Sequence, residues 1–256
     1  MELRMKFNED EANYDNWRPI YVPELFNNII EYSNLNNTKN VLEIGIGTGQ
    51  ATLPILKTGC NVTAIEIGEK LAEYSKQKFI AYNNFNVVNI DFESFNTDNS
   101  TYDLIYSATA FHWIPQEVGY PKVYQLLNSG GVLALFWNHP FVAREDDPLH
   151  VSIQKIYAKY RPSPQKPVEH NKEKCLEIIN TIKQHGFVDV NLKLYYQTRM
   201  FDAKSYISLL NTYSDHRAMQ EEEKALFENE IIETINCFNR KLNIYDTMDL
   251  YLAKKP

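Results

Sequence analysis

Apolar residues along the chain alternate between two rhythms, short near-continuous runs and longer stretches with helical spacing. NVLEIG (40–45), NVTAIEIG (61–68), NVVNID (86–91) and YDLIYSATA (102–110) read as buried strands, and GGVLALFWN (130–138) as a fifth, opened by a Gly-Gly turn. Segments 49–58, 69–82 and 117–128 carry helical patterns between them, which predicts right-handed βαβ units on a parallel sheet. Ahead of them, VPELFNNIIEY (22–32) sets apolar residues at 25, 26, 29 and 30 on one helical face behind a proline in the first turn. After His139 the rhythm changes. Helices at about 148–160 and 172–185 flank RPSPQKP (161–167), whose prolines mark an exposed loop. FVDVNLKLYYQT (187–198) and NIYDTMDLYLAKK (243–255) read as strands, with two helices, about 202–213 and 219–240, inserted between them.

The turn Gly45-Ile46-Gly47-Thr48-Gly49 follows the first strand and opens a helix. In open α/β sheets, ligands sit outside the carboxyl ends of the strands where strand order reverses, so this turn belongs at such a site. Gly45 suits the tight turn, Gly47 a close backbone approach and Gly49 close packing of the helix. A dinucleotide fingerprint places its third glycine one position later, where this chain has Gln50. Glu43 would lie near a pyrophosphate, where like charges repel. S-adenosylmethionine, with an ammonium and a sulfonium and no phosphate, suits that anion better; Glu43 also reads as a solvated strand-end residue. Glu66 ends the second strand about 20 residues on, the spacing of a carboxylate that accepts from ribose hydroxyls. Asp91 and Phe92 end the third strand, where an acid can accept from an adenine amino group and a ring can stack on the base. The same pair reads as a helix cap beside a core phenylalanine.

Composition narrows the classes. With 256 residues the chain is long enough for one large domain with an insertion. Three widely spaced cysteines without a CxxC pair or a His-rich neighbourhood argue against disulfides and a zinc site, so no metal is expected and a cytoplasmic location is. No apolar run is long enough to span a bilayer, and the polar start does not read as a signal peptide. A net charge of −7 argues against a nucleic-acid surface.

VLEIGIGTGQAT, VTAIEIGEKL, VVNIDFESF, YDLIYSATAFHWI and LNSGGVLALFWN together resemble the motif series of class I S-adenosylmethionine-dependent methyltransferases (type 11 methyltransferase domain), over roughly residues 38–139. YDNWRPIYVPELF and the HW after the fourth strand are similar to the small-molecule group that includes trans-aconitate methyltransferase. The resemblance implies an α/β, doubly wound, seven-stranded, mostly parallel sheet whose last strand is antiparallel. It implies one domain over 1–256, with an N-terminal lid and helix (1–37), a cofactor-binding core (38–139) and a helical cap (202–241) over the substrate site. It further implies that Glu43, Gly45, Gly47 and Gly49 hold the methionine part of the cofactor, Glu66 the ribose, and Asp91 and Phe92 the adenine. Ser107 and Ala108 would border the methionine side, and Tyr14 and Arg18 would fold over it, Arg18 pairing with the carboxylate.

Methyl transfer from a sulfonium is an in-line displacement, so the protein contributes alignment and water exclusion. A base is needed only where the acceptor must lose a proton. His112 is the candidate base or orienting residue, Trp113 and Trp137 the candidate walls of the acceptor site, and Tyr213, His216 and Arg217 its partners from the cap, Arg217 as an anion binder. No DPPY-type loop, Pro-Cys nucleophile or Asp/Asn cluster follows the fourth strand, which sets aside nucleobase-amine, cytosine-C5 and magnesium-dependent catechol chemistry. A small, anionic acceptor methylated on oxygen or carboxyl is the favoured expectation, in a monomer or homodimer without nucleic-acid or membrane partners. The alternatives are an RNA- or protein-modifying methyltransferase and a non-catalytic cofactor-binding protein on the same fold.

Overall fold

Strands β1 (Asn40–Ile44), β2 (Asn61–Glu66), β3 (Phe85–Asn89), β4 (Tyr102–Ala108), β5 (Leu127–Phe141), β6 (Val188–Phe201) and β7 (Leu242–Lys254) form one sheet in the order β3-β2-β1-β4-β5-β7-β6. The structure, a computed structural model, describes residues 11–96 and 101–256, apart from the side chains of residues 11, 12 and 14. β1 to β5 run parallel, and β7 is antiparallel to both β5 and β6. The strand order reverses between β1 and β4, which opens a crevice at their carboxyl ends.

Near-continuous apolar runs arise because the central strands are covered on both faces. On β4, Leu104, Ile105 and Tyr106 are fully buried; Leu104 and Tyr106 face one core layer and Ile105 the other. Helices α1 (Glu11–Trp17), α2 (Pro23–Ser33), α3 (Thr52–Leu56), α4 (Glu69–Lys78), α5 (Gln116–Leu126), α6 (Pro148–Tyr160) and α7 (Leu176–Gln184) precede the inserted unit. That unit comprises α8 (Ala203–Leu210), α9 (Ser214–Arg217) and α10 (Glu221–Cys237), between β6 and β7 as the periodicity predicts. It has its own apolar centre: Phe227, Ile231 and Ile235, four residues apart on α10, pack with Ile153 and Ile156 of α6 and Tyr206 and Leu209 of α8. A capping box between Asp202 and Ser205 fixes the start of α8.

The N-terminal segment ties this unit to the core. Asp15 receives Lys78 Nζ at 2.7 Å and the Tyr74 hydroxyl at 3.0 Å, both from α4, while Asn13 Nδ2 donates to the Ser208 carbonyl on α8.

The structure moves two expected strand ends. β3 stops at Asn89, so Asp91 lies in the following loop, where its Oδ1 accepts the Ser94 N–H at 2.7 Å. β5 extends to Phe141 because β7 pairs with it from Val132 to that point.

Gly49 shows why the turn after β1 ends on a glycine. Its φ is +80°, and a Cβ there would sit 2.3 Å from the Phe79 ring at the end of α4. Gly49→Ala is expected to lower stability by about 2 kcal/mol or more, measured by denaturant unfolding. Combined with Phe79→Leu, the total loss should fall short of the two single losses added, because one removes the clash the other creates.

Candidate functional site

A cavity of about 320 Å³ runs along the crevice at the carboxyl ends of the strands. Its walls bring together Gly45 and Gly47 from the glycine turn, Glu66 from β2, Asp91 and Phe92 after β3, Ala108 and His112 after β4, and Arg18 and Tyr213 from the two ends of the chain.

The turn is clamped from several sides. Its first two N–H groups, Gly45 and Ile46, donate to the Ile65 carbonyl at 2.9 and 3.2 Å. The buried Glu66 carboxylate accepts from Gly47 N at 2.9 Å and Gly68 N at 2.8 Å, spanning the turn and the start of α4. Ser75 Oγ donates to the Gly47 carbonyl and Lys78 Nζ to that of Thr48. Burial pushes the Glu66 carboxyl above its ordinary range, and the backbone N–H bonds oppose that shift. Gly45 has φ +73°, and a Cβ would meet Ala110 Cβ at 2.5 Å, so only glycine lets the loop after β4 approach.

Several of the expected residues do not stand on the cavity wall. Glu43 is 1% exposed and lies beneath the turn, where its Oε2 accepts from Thr52 Oγ1 at 2.8 Å and the Tyr106 hydroxyl at 2.7 Å. It is therefore not a solvated strand-end residue. Its Oε1 is buried without a hydrogen-bond partner, and burial raises the carboxyl to about 7. Ser107 is buried too, donating to the Ile44 carbonyl at 2.8 Å, and Gly49 faces Phe79. Tyr14's side chain lies outside the described residues.

At the other end, Trp113 lines the cavity, but Trp137 stands behind it. Trp137 Nε1–H donates to His112 Nδ1 at 3.0 Å. Burial, then the charge of His139, hold His112 below its usual value, which favours the neutral ring. A neutral ring whose Nδ1 accepts carries its proton on Nε2.

From the inserted unit Tyr213, Ser214 and Asp215 reach the wall, while His216 and Arg217 do not. His216 is buried because it serves the packing of that unit: its Nε2 accepts from Arg161 Nη1 at 2.8 Å, and burial lowers it to about 4. Arg161 also pairs with Asp215 at 2.6 Å. Arg18 donates from Nη2 to the Thr212 carbonyl at 2.8 Å, and its guanidinium lies over the Tyr213 ring.

Tyr21 and Thr109 also stand on the wall, unmarked by any sequence motif. Thr109, on the wall just past β4, has φ +52°, an uncommon conformation for a β-branched residue, and its Oγ1 is 2.6 Å from the Tyr21 hydroxyl. The only sequence signal was the aromatic-rich stretch before α2; nothing in SATA marks the strained position.

Residues 41–131 match the family model of a methyltransferase domain. An uncharacterized methyltransferase of Schizosaccharomyces pombe is 24% identical over 93% of this chain and 90% of its own length. A second, methyltransferase-like protein of that yeast is 25% identical over 98% of this chain and 96% of its own. Among solved structures, a SAM-dependent methyltransferase from Thiobacillus denitrificans in complex with S-adenosyl-L-homocysteine has the same fold, with a TM-score of 0.56 at 15% identity, covering 96% of this chain and 97% of that one.

The raised Glu43 carboxyl makes stability depend on pH. Its folded value of about 7 exceeds the ordinary 4.5, so the folded state favours the protonated form, and the favourable contribution is lost as pH rises from about 4.5 through 7. Glu43→Gln, neutral at every pH, should therefore gain stability over the parent protein on going from pH 5 to pH 8, by up to about 3 kcal/mol. Unfolding curves without ligand at both pH values check this; an equal difference at the two would show that Glu43 ionises normally.

Proposed function

We propose that this chain, a class I S-adenosylmethionine-dependent methyltransferase, methylates a small carboxylate-bearing acceptor on oxygen. The cavity's charge fits the cofactor. Its walls carry Glu66, Asp91, Glu93 and Asp215 against one guanidinium, that of Arg18, among the described residues. Such a lining attracts an ammonium and a sulfonium and repels a pyrophosphate. The bound cofactor supplies a methyl group made electrophilic by the adjoining sulfonium.

In this reading Gly45, Gly47 and Ala108 border the methionine part, with Glu43, Gly49 and Ser107 holding the turn from beneath. Arg18 pairs with the amino-acid carboxylate. Glu66 uses one lone pair on each oxygen for Gly47 and Gly68, and the remaining pair on each accepts the ribose hydroxyls. Asp91 and Phe92 take the adenine. The N-terminal segment and the 202–241 cap close over the acceptor, with Trp113 and Tyr213 as walls; Trp137 acts through His112. His216 and Arg217 support the cap.

One observation carries the choice of acceptor. Because His112 Nδ1 is engaged by Trp137, the neutral ring offers an N–H and no free lone pair. That suits a donor that orients an acceptor oxygen, and not a base that removes a proton. A carboxylate needs no deprotonation before it attacks. Near Tyr213 the Asp215 charge is matched by Arg161, as Lys122, over the Phe92 ring, partly offsets Asp91 and Glu93 after β3.

Incubation with S-adenosylmethionine and a panel of small carboxylates, alcohols, phenols and amines, read by S-adenosylhomocysteine release, tests this; turnover confined to amines or phenols contradicts it. Asp91→Ala should weaken cofactor binding about tenfold, measured by calorimetry. His112→Ala should leave that binding unchanged and slow turnover about tenfold or more. His112→Gln, which keeps an N–H donor, should recover part of the rate. A general base would make Gln no better than Ala.

A further inference from the structure

Behind Trp137, away from the cavity wall, side chains from three separate parts of the sequence meet: His139 on β5, His170 after the proline-rich loop with Cys175 five residues on, ahead of α7, and Asp249 on β7. We propose that they form a binding site for one divalent transition-metal ion of the zinc type. His139 Nε2 and His170 Nε2 each lie 3.0 Å from Asp249 Oδ2, His170 Nε2 is 3.3 Å from Cys175 Sγ, and that sulfur is 4.0 Å from the same oxygen. Ligands around a tetrahedral zinc ion, with metal–ligand bonds of about 2.0–2.3 Å, are separated by roughly 3.3–3.6 Å. These four spacings bracket that range; His139, His170 and Asp249 form the mutually close set, and Cys175 closes it from the His170 side.

A hydrogen-bonded cluster explains the arrangement less well. His139 Nε2 is shut off from solvent and makes no hydrogen bond, although Asp249 Oδ2 is so near. The two imidazole rings stack face to face, centroids 3.6 Å apart and planes 2° from parallel, which brings both Nε2 atoms close to one carboxylate oxygen without directing either at it. That oxygen already accepts the Tyr251 hydroxyl at 2.9 Å, so two imidazole N–H groups would crowd a third donor. A cation among these atoms would satisfy His139 Nε2 once one ring turns out of the stack, since parallel rings cannot both aim their in-plane lone pairs at one ion. Two neutral imidazoles, a carboxylate and a thiolate around a divalent ion give zero net charge, and Cys175 releases its thiol proton to solvent as the metal–sulfur bond forms.

The surroundings match an outer shell of this kind. Asp249 is buried, its Oδ1 held by the Trp137 N–H at 3.1 Å. The ion would join β5, β7 and the 161–175 connection. Through Asp249 and Trp137 it would also brace His112.

Metal-free full-length protein titrated with Co²⁺ tests the site. One equivalent should give the intense visible bands of tetrahedral cobalt with a sulfur-to-cobalt charge-transfer band, both removed by Zn²⁺, and one equivalent of Zn²⁺ should raise the thermal midpoint. Cys175→Ser should abolish the charge-transfer band and His170→Ala should weaken uptake at least about tenfold, with folding followed by circular dichroism. Replacement of the exposed Cys237, Cys237→Ser, should change nothing. Absence of tetrahedral bands in the parent protein, or bands that survive in the folded Cys175→Ser and His170→Ala variants, overturns the proposal. Should either variant fail to fold, the parent titration decides, since a spectrum without the sulfur band contradicts the ligand set.

Discussion

The bond pair from Glu66 to the N–H groups of Gly47 and Gly68 is the constraint on which the site depends. A carboxylate buried at a strand end is costly unless its oxygens are met by donors. Here the donors are backbone groups of the glycine turn and of the approach to α4, so neutralising one buried charge also fixes the shape of the loop that receives the ligand. Ser75 and Lys78 hold the turn's carbonyls from α4, and Gly49 lets Phe79 come into contact beneath it. The turn is thus built before a ligand arrives, which reduces what binding must spend on ordering it.

The opposite end of the cavity is built by contacts between distant segments. Tyr21, ahead of α2, meets Thr109 past β4, and Arg18 reaches the Thr212 carbonyl in the inserted unit. The N-terminal segment therefore touches both the core and the inserted unit, and in the proposed function its position sets how the acceptor end is enclosed. Trp137 adds a second layer by fixing the tautomer of His112, so the chemistry that His112 offers is decided by a residue outside the cavity.

Much of this was legible in the sequence, for physical reasons. Strands covered on both faces must be apolar throughout, so NVLEIG and YDLIYSATA announced β1 and β4, and a carboxylate or glycine interrupting such a run at its carboxyl end is conspicuous. The insertion showed itself because α10 repeats apolar residues four apart. What was hidden depends on side-chain direction and on long-range meeting. Glu43 alternates to the face occupied by Tyr106 and Thr52 and is swallowed by the core, so its place in the motif did not reveal that it lies beneath the turn. His216 looked like a site residue and is a packing residue, because only the fold brings Arg161 to it. The His139, His170, Cys175 and Asp249 cluster draws on three separate stretches of sequence, so only the fold brings its members together.

In the proposed function, a preformed, acidic crevice selects a sulfonium nucleoside over a dinucleotide. Calorimetric titration of the purified protein with S-adenosylmethionine and, separately, with NAD measures that selection directly. Saturable binding of S-adenosylmethionine at one site per chain and no measurable heat with NAD are expected. Tight NAD binding without S-adenosylmethionine binding would contradict it.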